Sequence, residues 1–378
     1  MAYITGVGDT AFGRREGETT LTLMAQAANA ALADAGLARV DVDGLLCGYA
    51  TTLPHLMLST VFAEYYGLQP AYAHALQLGG ATGCAMVMLA RELVDAGRCR
   101  NVLVVAGENR LSGQTRDAAI QTLAQVGHPD YEVPFGASVP AYYALLASRY
   151  MHEYPVSVAD LAEFAVLMRR HAGTHPGAHL REPIAVADVL ASKTIAAPLK
   201  LLDCCPISDG AVALLVSRER GAGIGVRIAG AAQAHLHQHV SNIASVSDLG
   251  ARRAARSALA EAGVALIDID YLGIYDSFTI TLLILLEEIG IAARGEAAAR
   301  LRSGDFAAAG KLPLNTHGGL LSYGHCGVAG GMAHIAEAQR QLAHKAGARQ
   351  AGERQCALVH GDGGVLSSHV SLVLRRDA

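Results

Sequence analysis

Short apolar runs bounded by turn residues alternate along this chain with longer stretches in which apolar positions recur every three or four residues. The runs YITGVG from Tyr3, VDGLLCGY from Val42 and NVLVVAGE from Asn101 read as buried strands, as do VRIAGAA from Val226, DYLGIYD from Asp270, CALVHGD from Cys356 and HVSLVLRR from His369. Helical periodicity spans Leu21 to Ala35, Ala81 to Ala96, Leu249 to Ala262, Thr279 to Ile289 and Ala329 to Ala343. Strands alternating with helices predict an α/β fold with mostly parallel sheets and helices on both faces.

The pattern repeats. ALADAGLARVDVDGLL from Ala31 aligns with ALAEAGVALIDIDYLGI from Ala258 without a gap over most of its length. Each copy reads as a helix closed by glycine (Gly36, Gly263), a short polar connection and a strand. Such self-similarity implies a duplicated unit. The expected division is an N-terminal half over 1–220 and a C-terminal half over 221–378. A helical insertion with a Pro/Gly-rich loop, 110–200, interrupts the first half and has the length of a lid or binding loop. The GAGIG stretch at Gly221 lacks the context of a dinucleotide fingerprint and reads as the connection between the halves.

Composition narrows the class. The chain has 378 residues, 52% of them hydrophobic, and a formal net charge of −4 with no long basic run. That supports large buried sheets and argues against nucleic acid as a partner. The longest apolar run, ITLLILL from Ile280, is too short to span a bilayer. The N-terminus reads as a strand and not as a secretory signal. Seven thinly spread cysteines suit free thiols in a reducing compartment, so a cytoplasmic location is expected. The alternating histidines of HLHQH, His235 to His239, read as surface residues, and no metal site is expected.

The densest chemistry lies in NTHGGLLSYGHCGVAGG, from Asn315. Its glycines let backbone N–H groups approach a ligand and open a helix beneath it, and a histidine there can move protons near neutral pH. This stretch resembles the thiolase superfamily pattern N-x-x-G-G-x-x-x-x-G-H-P-x-G-x-x-G. Asn315, Gly318, Gly319, Gly324, His325, Gly327 and Gly330 match, with Cys326 in place of the proline. DCCPISDGAVALLV from Asp203, IYDSFT from Ile274 and HGDGG from His360 resemble further family segments in the same order, and the branch is similar to the sterol-carrier-type thiolases. The resemblance implies a five-layer αβαβα arrangement of the two halves. It also implies coenzyme A as a substrate moiety with no permanently bound cofactor, a homodimer paired through the strand near Tyr72 to Leu78, and a small OB-fold zinc-ribbon partner.

The departures matter as much. In thiolases a cysteine at the start of a buried helix takes the acyl group, and the helix end lowers its pKa. Here Gly80-Ala81-Thr82-Gly83 stands where the family has C-A-S/T-G. Cys84, one turn deeper, is the nearest substitute nucleophile, and Cys326 is another thiol. Tyr275 replaces the family's Asn or His, as in the thiolase-like steroid side-chain aldolases, while His325 remains thiolase-like. Tyr323 is expected to point into the same cavity. His360 is the stand-in for the second catalytic cysteine. Asn315, Gly318, Gly319, Gly363 and Gly364 are expected to bind the acyl-CoA.

These residues imply an enzyme that makes or breaks a C–C bond beside a CoA thioester, with thiolytic acyl transfer on a β-ketoacyl-CoA slightly favoured. A retro-aldol lyase on a β-hydroxyacyl-CoA is the alternative. A non-catalytic acyl-CoA- or lipid-binding subunit is the third reading.

Overall fold

The computed structural model describes residues 1–377. In chain order the first half contains β1 (Tyr3–Asp9), α1 (Thr20–Ala35), β2 (Gly44–Gly48), α2 (Leu58–Tyr66), β3 (Tyr72–Leu76), α3 (Thr82–Asp95) and β4 (Asn101–Asn109). The insertion follows, with α4 (Arg116–Ala124), α5 (Val139–Glu153), α6 (Val158–Ala172), α7 (Val186–Ala191) and the small hairpin β5 (Thr194–Ala196) and β6 (Leu199–Lys200); β7 (Asp209–Ser217) then returns to the sheet. The second half runs β8 (Gly225–His235), α8 (Ala251–Ala262), β9 (Tyr271–Ile274), α9 (Thr279–Ile289), α10 (Ala297–Arg302), α11 (Val328–Leu342), β10 (Cys356–Gly363) and β11 (Ser368–Asp377).

The main strands form one sheet in the order β3-β2-β4-β7-β1-β8-β11-β10-β9. Helix crossovers make β3, β2 and β4 parallel, and β9 and β10 likewise. Within each half one strand opposes the rest: β7 runs antiparallel to β4 and β1, and β11 antiparallel to β10 and β8. A parallel bridge from Leu272 to Leu314 places a fifth segment outside β9, where β3 lies in the first half. The two halves are therefore mirrored in order about the β1–β8 junction, as a duplication requires.

The repeated aspartates show why the repeat persists. Asp41 and Asp268 each accept a backbone N–H at the start of a 3-10 turn, both at 2.8 Å. Asp43 then accepts from the N–H groups of Arg100 and Asn101, and Asp270 from those of Gln355 and Cys356. Each pins the start of the neighbouring strand, β4 or β10. Gly36 and Gly263 end their helices at φ 67° and 66°, the left-handed conformation glycine adopts without a steric cost.

Strand alternation sorts the side chains into layers. Leu45, Cys47, Leu103 and Val105 pack under α1 and α2, while Leu46, Val102 and Val104 face α3 and α11. Val359 and Leu372 face the same two helices from the other half, and Leu358 and Val373 point out to α8 and α9. The result is five layers, with α3 and α11 sealed in the middle. No helix among the described residues is long and apolar enough to cross a membrane.

Candidate active site

The middle helices bring the chemistry together because both begin at the same cavity. It measures about 250 Å³. Its floor carries Gly80 before α3, His325 and Gly327 before α11, Tyr275 after β9, and Arg110 after β4. Tyr143, Cys204, Cys205, Ser277 and Gly364 add polar groups. Ile120, Leu123, Val126, Val139 and Pro140 from α4, α5 and their connection, with Phe278, supply an apolar wall.

Tyr275 is placed by backbone pairing. Its N–H donates to the His360 carbonyl at 3.0 Å. Asn315 clamps the preceding residue: its Oδ1 accepts from the Ile274 N–H at 2.9 Å and its Nδ2 donates to the Ile274 carbonyl at 2.7 Å. His325 is held by the segment that carries the SDGA motif, donating its N–H to the Pro206 carbonyl and accepting the Ser208 N–H, both at 3.0 Å.

The side chains of Tyr275 and His325 then meet, Oη to Nε2, at 3.1 Å. The Nδ1 of His325 accepts the backbone N–H of Gly327 at 3.2 Å. That fixes the tautomer with the proton on Nε2, so the imidazole donates to the phenol oxygen. Burial, with the nearby Arg110 charge, lowers the His325 pKa to about 3, and the ring is neutral. Burial pushes the Tyr275 phenol well above its ordinary range.

Gly80 explains the missing nucleophile. A Cβ built there would overlap the Oη and Cζ atoms of Tyr275 and the Asp362 carbonyl. The phenol oxygen thus occupies the space a side chain at position 80 would need. A cysteine at 80 and a tyrosine at 275 exclude one another in this geometry.

Several sequence expectations are corrected. Cys84 does not line the cavity; it is 2% exposed, and burial pushes its thiol up to about 12. Cys326 is buried near Glu108 and Arg110, again with a raised pKa. Tyr323 points away: its hydroxyl donates to Asp9 at 2.9 Å, and Asp9 is itself paired with Arg340. His360 lies in a closed chain, with Nδ1 against Ser371 at 2.8 Å and Nε2 against His369 at 3.1 Å, while His369 donates to the Leu366 carbonyl. Burial holds both rings neutral.

Asn315 spends its amide on Ile274. Gly318 and Gly319 serve close packing, since a Cβ on either would overlap Ala172 or Asp276. Gly364 does line the cavity, whereas Gly363 abuts the Leu78 carbonyl. The sequence reading missed Arg110, Tyr143, Ser277 and the Cys204–Cys205 pair. Cys204, Cys205 and Ser277 lie in segments already singled out by resemblance, and Arg110 carried a signal of its own: a charged pair, Glu108 and Arg110, ends an otherwise apolar strand.

The chain matches the thiolase N-terminal domain over residues 2–220 and the thiolase C-terminal domain-like model over residues 232–376. It belongs to the thiolase superfamily. Among thiolase-superfamily proteins it is 35% identical to the steroid side-chain-cleaving aldolase of Thermomonospora curvata, over 98% of this chain and 97% of that one. It is 33% identical to the 17-hydroxy-3-oxo-4-pregnene-20-carboxyl-CoA lyase of Mycobacterium tuberculosis, covering 90% and 91% of the two chains. The solved structure of the Ltp2-ChsH2(DUF35) aldolase superposes with a TM-score of 0.85 at 33% identity, covering 100% of this chain and 98% of that one.

Proposed function

We propose that this thiolase-superfamily chain is a retro-aldol lyase that cleaves the Cα–Cβ bond of a β-hydroxyacyl-CoA. The observation that carries this reading is the phenol oxygen of Tyr275 in the space of the missing residue-80 side chain. The site leaves no room there for a covalent acyl group, which weighs against the thiolytic reading slightly favoured from sequence. The polar groups converging on the floor weigh against a merely binding subunit.

The reaction balances on one residue. The Tyr275 phenolate takes the β-hydroxyl proton, and the O–H electrons form the new carbonyl. The Cα–Cβ pair departs onto the thioester as an enolate. Tyr275 then returns its proton to Cα. The His325 Nε2–H supports the phenolate throughout, and the same oxygen lies against Gly80, just before the positive N-terminal end of α3. The apolar wall suits a bulky, hydrocarbon-rich substituent on Cβ, in keeping with the names of the two aldolase and lyase relatives.

A small OB-fold zinc-ribbon protein is the proposed partner, supported by the DUF35 component of the similar aldolase. A homodimer paired through β3 is supported by that strand's place at the open edge of the sheet.

The test offers the enzyme, alone and with such a partner, a β-hydroxyacyl-CoA with a tertiary hydroxyl, and separately a β-ketoacyl-CoA with free CoA. A ketone and a shortened acyl-CoA from the first substrate, with no radiolabelled acyl group retained on the protein, are expected. Turnover of only the second substrate, with label on a cysteine, would overturn the proposal.

A further inference from the structure

We infer that Arg110, locked by Glu108, is the fixed positive charge that stabilises the anion formed at the Tyr275 oxygen and on the departing enolate. This rests on the retro-aldol reading of the same cavity.

The pair is built for position. Glu108 is 1% exposed and Arg110 5% exposed, with Arg110 Nε 2.9 Å from Glu108 Oε2. Glu108 is itself fixed, accepting the Thr51 N–H at 2.6 Å and the Thr51 hydroxyl at 3.0 Å. Gly327 lets the start of α11 close over it, since a Cβ there would come within 2.9 Å of the carboxylate. Glu108 does not line the cavity, whereas Arg110 does. A buried ion pair costs desolvation and is weak evidence for stability. An asymmetric pair that presents only its cation to the cavity it shares with Tyr275 has a catalytic use.

Burial disfavours charge on the groups around the phenol: it raises the pKa of Tyr49, Tyr143, Cys205 and Asp362 and lowers that of His325. His334, whose ring stacks at 6.2 Å from that of Tyr275, gives its Nε2 to Asp276 at 3.0 Å. Burial alone would lower the Arg110 pKa, but the Glu108 carboxylate, together with smaller contributions from Tyr49, Cys326 and Tyr275, outweighs it, and the guanidinium stays charged. Among the described residues lining the cavity, Arg110 is the one formal charge.

The test reads ionisation directly and does not depend on turnover. Tyrosine is labelled with ¹³C at Cζ in the full chain, and the Tyr275 resonance is identified by its loss in Tyr275→Phe. Arg110→Gln is expected to raise the phenol midpoint by at least one pH unit, a tenfold loss of phenolate at a given pH. Glu108→Gln, which removes the opposing charge, is expected to lower it. Arg110→Lys should restore part of the wild-type midpoint. If Arg110→Gln fails to fold, the near-isosteric neutral pair Arg110→Gln/Glu108→Gln should still raise the midpoint, because the lost cation is nearer the cavity.

Shifts of the same sign in the two single variants, or no shift, would overturn the inference. Activity separates it from the reading beneath it. Midpoints that move as expected in an enzyme that cleaves no β-hydroxyacyl-CoA would refute the retro-aldol reading and leave the charge assignment standing. Cleavage with unmoved midpoints would refute the charge assignment alone.

Discussion

The two halves of this molecule carry equivalent helices, α3 and α11, packed back to back in the middle layer, where a Cβ on Gly83 would lie 2.6 Å from Met332. Their starts have diverged. The first presents Gly80 and no side chain, while the second is preceded by His325, whose imidazole reaches into the cavity. The first half supplies space, a buried cation and most of the apolar wall; the second supplies Tyr275, His325 and Phe278. The lesson is steric before it is chemical. One copy can lose its side chain because the other copy fills the gap, and an environment able to stabilise a thiolate then faces a phenol oxygen.

The largest expected effect breaks this complementarity. Tyr275→Phe removes one oxygen and leaves the packing nearly intact, so its effect reports proton transfer. Cleavage should fall by about 10²–10⁴-fold. Gly80→Cys should be at least as damaging, because its Cβ overlaps Tyr275 Oη, and it should not restore thiolysis while Tyr275 remains. Steady-state rates with both substrate types check this; a Gly80→Cys enzyme with normal retro-aldol activity would show that the two positions do not compete. The sign of the pH dependence follows too. The proposed reaction runs through the phenolate and burial raises the phenol's pKa, so kcat/KM should climb about tenfold per pH unit between pH 6 and 9.

A smaller loss is expected from His325→Ala. The imidazole is a donor to Tyr275, not the base, so removing it should slow cleavage by about 10²-fold, and His325→Gln, which keeps an N–H donor, should recover part of that loss. Equal damage from both variants would point to a role for the ring beyond donation. Stability should change little, since His325 sits beside a cavity and not within the core.

How the halves meet can be probed by acid. His171 and His175, from the insertion, pack near the π-helical turn Gly319–Tyr323, and the His175 ring meets that of Tyr323 edge-on at 4.7 Å. Burial lowers both to about 4, and His369 likewise. The unfolded chain binds these protons below about pH 6.5 and the folded chain resists them. Stability is therefore complete above about pH 6.5 and is lost as the pH falls toward 4, each histidine contributing about 1.4 kcal/mol per unit. Urea midpoints that hold constant from pH 6.5 to 4.5 would show these rings to be solvated.

The duplicated fold was legible because it rests on local signals: two glycine-closed helices, two V/I-D-V/I-D turns and apolar strands of the right length. That Tyr275 and His325 meet at one cavity was legible as well, because each stands in a motif. What the sequence could not display was direction. Tyr323 is two residues from His325, yet the π-helical turn sends its hydroxyl to Asp9. His360 lies in β10, the strand that leads to the site, but strand alternation turns it toward Ser371 on β11. Asn315 belongs to the family pattern, and its amide proved to be the clamp on the strand that carries Tyr275. Arg110 was overlooked because its meaning depends on a cavity built from both halves.

The smallest effect expected is that of Cys84. A cysteine one turn below a lost nucleophile invites the idea that it has taken over. Its surroundings argue otherwise: the sulfur packs against β10, where a Cβ on Gly361 would lie 3.1 Å from it. With its pKa near 12, the thiolate fraction at neutral pH is about one in 10⁵, and the side chain is buried outside the lining of the cavity. Cys84→Ala should cost about 1 kcal/mol of stability for the lost packing and leave cleavage within about twofold of wild type. Iodoacetamide should label the partly exposed Cys204 before Cys84 in the native enzyme. Rapid labelling of Cys84, suppressed by CoA, together with a dead Cys84→Ala enzyme, would mean that α3 unwinds in solution and that the first half still supplies the nucleophile.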